Sequence, residues 1–260
     1  MRDFTLEIFR ELLITILDSD YNIIPVKDFS SANHHEKKMI ICRHDVDSKP
    51  FNALKMAVLE SELGMKATYY FRIVQQSYDE GIIEQIVDLG HEIGYHYEDL
   101  SLAKGDFERA IKLFEQNLAK LKQLYPVATI CMHGSPLSKW DNGLLWKRYD
   151  YRDFGINGEP YFDIDFNKVL YLTDTGRRWN KYNVNIRDKV KTKFTFNFKT
   201  TEDIIMALQD GGLPDQIMIN VHPQRWTDNN LSWFKELIWQ NIKNPVKGLL
   251  NESLNNRSRS

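Results

Sequence analysis

The 260-residue chain has two cysteines, almost no net charge and no apolar run of bilayer length, and each shortage removes a class of function. Cys42 and Cys131 both sit inside strand-like runs, which suits buried thiols and not a disulfide framework. Lys+Arg 34 against Asp+Glu 36 leaves a net charge of -2, so no basic excess recommends nucleic acid as a partner. No segment approaches the roughly 20 apolar residues of a membrane span. The opening Met1-Arg2-Asp3-Phe4 meets an acid early, and no small-residue cleavage site follows, unlike a secretory leader. Phe4, Ile8, Phe9, Leu12, Leu13, Ile16 and Leu17 instead mark one face of an amphipathic helix. The expected location is cytoplasmic. With no repeat, low-complexity tract or linker, the reading is one domain over residues 1–254 that begins with this helix, followed by a disordered tail, 255–260.

What the chain does have is a regular alternation. Strand-like runs fall at Asn22–Val26, Lys38–Cys42, Ala67–Phe71, Glu92–Tyr95, Ala128–Met132, Val169–Leu172 and Gln216–Val221. Most are continuously apolar, as parallel strands covered on both faces should be. Helices with readable punctuation lie between them. Pro50 to Leu63 stops at Gly64, Ile82–Leu89 stops at Gly90, Asp106 caps a longer helix, and Thr200 with Asp203 resembles a capping box. A last helix covers about Leu231 to Ile242. The pattern predicts an α/β fold, either a (β/α) barrel or a doubly wound sheet. Only Ser135 to Lys193 breaks the rhythm, with long loops rich in Trp, Tyr, Asp, Arg and Gly.

The residues that follow the strands carry chemistry. Arg43-His44-Asp45-Val46-Asp47 follows the second run, Arg72 ends the third, and His96, His133, Thr173-Asp174 and His222 follow later ones. Parallel strands bring their carboxyl ends to one rim, so these groups converge. Two carboxylates this close repel each other unless a cation lies nearby. Four of the seven histidines lie at or near this rim, and a His/Asp set with an open position suits a hydrolytic divalent metal. Plainer readings exist for single residues: Asp47 could cap the next helix, Asp45 could be a solvated acid, His34 and His35 sit in a polar loop, and His91 suits a helix end.

Taken together, these motifs resemble the polysaccharide deacetylase superfamily, the carbohydrate esterases of family four and their relatives. The resemblance runs from about Met39 to His222. It implies a distorted (β/α) barrel of about seven parallel strands that removes acyl groups from sugars with a bound divalent metal, zinc foremost. The Arg43–Asp47 run is similar to the family's Asp pair, implying Asp45 as base and Asp47 as ligand. Gly90-His91-Glu92-Ile93-Gly94-Tyr95-His96 matches the second motif and implies His96 as ligand. Ile217 to His222 matches the last, with His222 as general acid.

Two departures stand out. The family's second metal histidine lies four residues after the first, and that position is Leu100. The loop that normally presents an Arg to the catalytic Asp reads Cys131-Met132-His133-Gly134-Ser135-Pro136. His133 is the leading candidate for the missing ligand, ahead of Glu98 or Asp99. If it does not bind metal, orienting Asp45 is its other task.

The aromatic and charged loops supply sugar-binding candidates: Arg72, Asp174, Arg178 and Trp179, with Trp140, Trp146, Tyr161 and Arg177 nearby. The expected activity is therefore metal-dependent removal of an N-acyl group, acetyl foremost, from an amino sugar or glycan precursor in surface-polysaccharide synthesis. The partner would be a nucleotide- or lipid-linked sugar or an oligosaccharide. Hydrolysis of another non-peptide C–N bond and a metal-free carbohydrate-binding pseudoenzyme are the alternatives.

Overall fold

A computed structural model describes residues 2–31, 38–135, 138–179 and 190–242. His34, His35 and the tail 255–260 lie outside the described residues. Chain order is α1 (Leu6–Asp18), β1 (Asn22–Ile24), α2 (Val26–Ser31), β2 (Met39–Val46), α3 (Pro50–Glu62), β3 (Thr68–Phe71), α4 (Glu80–Asp88) and β4 (Glu92–Tyr97). There follow α5 (Asp99–Leu102), α6 (Phe107–Lys122), β5 (Ile130–Met132), α7 (Pro160–Asp163), β6 (Leu170–Thr173), α8 (Thr201–Gln209) and β7 (Gln216–Val221). Residues 230–242 are also helical, and among the described residues no helix is long and apolar enough to cross a membrane.

Six of the sheet's seven strands run in the order β5-β4-β3-β2-β7-β6, β1 pairs with β2 off this path, and every pairing is parallel. Strand β7 takes one edge of β2. The other edge is divided, with β1 on Met39–Ile41 and β3 on Arg43–Val46. The expected loop Arg43–Val46 is therefore strand. Its pairing with β3 and β7 satisfies the backbone that a loop would have left to solvent.

Strand alternation assigns the faces. Cys42, Val46, Tyr69, Phe71, Ile93, Tyr95 and Tyr97 pack outward on α3, α4 and α6. Ile40, Leu170, Leu172, Ile217, Ile219 and Val221 pack outward on α1, α3 and α8. The inner face holds a smaller cluster of Ile41, Tyr70, Cys131, Tyr171 and Met218. Cys131 and Tyr171 belong to strands at opposite ends of the sheet order, so the sheet curls into a half-barrel. Among the described residues β5 and β6 do not pair. Gly158, bridged to Thr129, and Ile164 and Phe166 occupy that side instead.

Several local signals behave as the sequence implies. Asp106 caps α6 through the Arg109 N–H, and Thr200 and Asp203 form a reciprocal capping box on α8. Gly94 is needed for close packing, because a Cβ there would overlap the Tyr70 ring and press on the Thr129 carbonyl.

Candidate active site

Asp45, Asp47, Arg72, His96, His133 and His222 all lie at the carboxyl rim. Asp45 is on β2, where alternation aims it inward beside Arg43. The Arg43 guanidinium grips it with a two-pronged fork, Nε to Oδ1 at 2.8 Å and Nη2 to Oδ2 at 2.7 Å. Asn220 of β7 donates to Oδ2 at 3.1 Å, and Arg43 also donates to the Tyr161 hydroxyl at 3.1 Å. Burial alone would raise the Asp45 carboxyl. The charges of Arg43 and His96 outweigh it and hold the group well below the usual carboxylate range. Asp45 is thus no solvated acid. Asp47 caps nothing either: the residue before α3 is Lys49, which makes no side-chain cap.

Asp47 leaves the end of β2 with its two oxygens in different environments. Oδ2 accepts from Gln224 Nε2 at 2.9 Å. Oδ1 is buried with no hydrogen-bond partner, and it lies 3.5 Å from His96 Nε2 and 3.5 Å from His133 Nε2. Each imidazole is turned so that Nε2 faces this oxygen. His96 Nδ1 meets the Cys131 carbonyl at 2.9 Å, and a carbonyl can only accept, so Nδ1 carries the proton. His133 Nδ1 meets the Glu98 carboxylate at 2.9 Å, with the same consequence. In the neutral rings both Nε2 atoms therefore offer lone pairs. One carboxylate oxygen and two imidazole nitrogens within 4.8 Å of one another are a donor set that a divalent ion fits. The charges agree. Burial would push the Asp47 carboxyl up and the His96 imidazole down, yet His96, His133 and His222 together drive Asp47 well below its ordinary value, and Asp45 with Asp47 raises His96 above its own.

His222 follows β7. Its Nδ1 donates to Asp174 Oδ1 at 2.6 Å, and its charge bears on both Asp45 and Asp47. Asp174, expected in the sugar pocket, is fully buried behind His222. It accepts from the His222 N–H, Arg225 Nη1 and Trp226 Nε1, which leaves its carboxylate committed to positioning. Trp179, another pocket candidate, is 2% exposed among Phe4, Trp226 and the residues of α1 and α8, and its Nε1 donates to Thr201. It offers no face to a ligand. Arg178 beside it is exposed. Arg72 reaches the rim, but its guanidinium is bound to Glu98 and to the Asp47 carbonyl. Trp146 packs its ring into the core with Tyr97, Phe114 and Tyr151.

Of the remaining ligand candidates, Asp99 faces the outer side, where Tyr95 donates to both its oxygens, and Leu100 is fully buried in the core. Of the four rim histidines, His44 turns outward to Glu60 of α3 at 2.7 Å, because β2 alternates. Arg43, Gln224 and Asn220 were not among the expected site residues. Period-two spacing would have exposed Arg43 and Asn220: Arg43 stands two positions before Asp45 on β2, and Asn220 stands two positions before His222, which follows β7.

A cavity of about 830 Å³ is lined by Tyr161, Trp146, Tyr151, Phe162, Asp163 and Lys147 among others, and by none of Asp45, Asp47, His96, His133 or His222. Tyr161 links it to the site through Arg43.

No protein-family model and no curated protein matches the sequence. Solved structures match the fold at low identity. A Streptococcus mutans CE4 esterase is 14% identical at a TM-score of 0.44, covering 83% of this chain and 84% of that one. A family 4 carbohydrate esterase from Bacillus anthracis is 10% identical at a TM-score of 0.40, covering 92% of this chain and 84% of that one. A CE4 family pseudoenzyme from the same organism is 16% identical at a TM-score of 0.43, covering 83% of this chain. This chain spans 63% of that pseudoenzyme's length.

Proposed function

We propose that this chain is a metal-dependent hydrolase that removes an acyl group, acetyl foremost, from the nitrogen of an amino sugar or glycan precursor. The observation that carries the reading is the convergence of Asp47 Oδ1, His96 Nε2 and His133 Nε2 around an unpartnered buried carboxylate oxygen, flanked by Asp45 and His222. The motif resemblance supports the sugar and the acyl group. A bound divalent ion, zinc by donor type, supplies Lewis acidity that polarises a carbonyl and makes water more acidic.

The protein's own residues do the rest. Arg43 and Asn220 hold Asp45 facing the rim, where its carboxylate accepts a proton from the attacking water. Asp174 fixes the His222 ring through Nδ1, which leaves Nε2 to deliver a proton to the departing amine as the C–N bond breaks. Water supplies the hydroxyl that ends on the released acid. The cavity beside Tyr161, with aromatic faces next to charged groups, suits a sugar chain. A nucleotide- or lipid-linked precursor is the substrate form this reading favours.

One observation favours a second reading. Asp45 is held by three donors and lies far below the usual carboxylate range, which weakens it as a base. A carbohydrate-binding pseudoenzyme would tolerate that arrangement. Acetate release from a panel of N-acetylated amino sugars and oligosaccharides, measured after zinc loading, separates the two. Release that His222→Gln abolishes supports the hydrolase. Glycan binding without release from any member supports the pseudoenzyme.

A further inference from the structure

We infer that Glu98, held by Arg72, is the positioning residue that makes His133 the third metal donor. The inference rests on the reading of Asp47, His96 and His133 as a metal centre. Leu100 is packed in the core and Asp99 is turned outward to the Tyr95 hydroxyl, so α5 supplies no donor to the rim. The third donor then comes from the loop after β5, and a loop imidazole needs fixing in rotation and tautomer. Glu98 does both. Its Oε2 accepts from His133 Nδ1 at 2.9 Å, so Nε2 is left unprotonated and aimed at Asp47.

Glu98 stands at the residue before α5 but makes no cap bond there. Asn142 Oδ1 accepts from the Ser101 N–H of α5 in its place, while Asn142 Nδ2 donates to the His133 carbonyl at 2.8 Å. Arg72 completes the set. Its Nε donates to Glu98 Oε1 at 2.8 Å and its Nη1 to the Asp47 carbonyl at 3.2 Å. One guanidinium therefore ties the backbone of one donor to the carboxylate that orients another. Ser135 Oγ closes the network, 3.0 Å from His133 Nδ1 and 3.2 Å from Glu98 Oε2.

The test is zinc affinity of the full chain, measured by competition with a chromophoric chelator, for wild type, Glu98→Gln, His133→Ala and the double variant. Glu98→Gln is expected to weaken zinc by about 10–100-fold. In the His133→Ala background the same change should cost nothing further, because its effect passes through that imidazole. Glu98→Asp, which keeps the charge but shortens the reach, serves if the glutamine variant misfolds, and should also weaken zinc. Unchanged affinity in the folded Glu98 variants, or an equal loss with and without His133, overturns the proposal. A wild-type chain that takes up no zinc overturns the metal reading beneath it, which is a different result.

Discussion

Two clusters on opposite faces of the sheet offer similar kinds of atoms and differ in how those atoms are used. On the inner face, Asp47, His96 and His133 meet at the rim. On the outer face, Cys42, His44 and Glu60 meet under α3, equally close together and more deeply buried. In the outer set the facing atoms satisfy one another, although His44 Nδ1 on the far side of its ring has no partner. His44 Nε2 lies 2.7 Å from Glu60 Oε1, Cys42 Sγ lies 3.5 Å from that same oxygen, and Tyr69 donates to Oε2 at 2.6 Å. In the inner set every partner is placed behind the donors, on Nδ1 or on Oδ2, and the forward atoms face one another. Proximity of ligand-type residues therefore does not define a metal site. What defines it is that the hydrogen bonds come from outside the set.

The contrast can be broken most sharply at the inner face. Asp47→Ala and His96→Ala should each abolish stoichiometric zinc uptake, whereas Asp45→Ala should keep the metal and lose turnover by about 10²–10⁴-fold, the usual worth of a general base. Metal content and acetate release on the same preparations check both halves. Equal metal occupancy in all three variants would mean the roles are wrongly assigned.

The outer cluster predicts a stability effect in place of a metal effect. Glu60→Ala strands His44 and the Tyr69 hydroxyl in a dry layer, and should cost about 3–5 kcal/mol in denaturant unfolding with zinc stoichiometry unchanged. The pH dependence has a definite sign. Burial alone would raise the Glu60 carboxyl, but the charge and hydrogen bond of His44, with His91 and Tyr69, bring it below its ordinary value. This contribution is therefore complete above roughly pH 4.5, the unfolded value, and is lost as pH falls through the lower folded value. Glu60→Ala should flatten that part of the acid-unfolding curve.

A smaller effect tests the wall between the clusters. Gly94→Ala places a methyl group into the Tyr70 ring, and the ring can yield only by shifting the inner face. Overpacking of this kind costs about 1–3 kcal/mol. A thermal midpoint equal to wild type would show the inner face to be looser than described.

The two faces also explain what could be read from the sequence. Strand β7, from Gln216 to Val221, is apolar apart from Gln216 and Asn220 and runs directly into His222, so both its extent and the residue after it are visible in the sequence. Strand β2 was cut short at Cys42, because Arg43, His44 and Asp45 look like a loop when read in order. Only pairing on both edges makes that polar run a strand, and only then does alternation send Arg43 and Asp45 inward and His44 outward. Glu98 and Gln224 depend on contacts across 35 and 177 residues, which no local pattern records. Trp179 and Asp174 misled for the same reason: an aromatic and an acid in a long loop resemble a sugar pocket until Phe4 and Trp226 arrive from distant segments to bury them.

The most direct measurement is diffraction from zinc-soaked crystals on both sides of the zinc absorption edge. The account predicts one anomalous peak at the rim, within about 2.0–2.2 Å of Asp47 Oδ1, His96 Nε2 and His133 Nε2, and no peak among Cys42, His44 and Glu60. A peak in the outer cluster, or a rim peak more than about 2.5 Å from His133 Nε2, would contradict it.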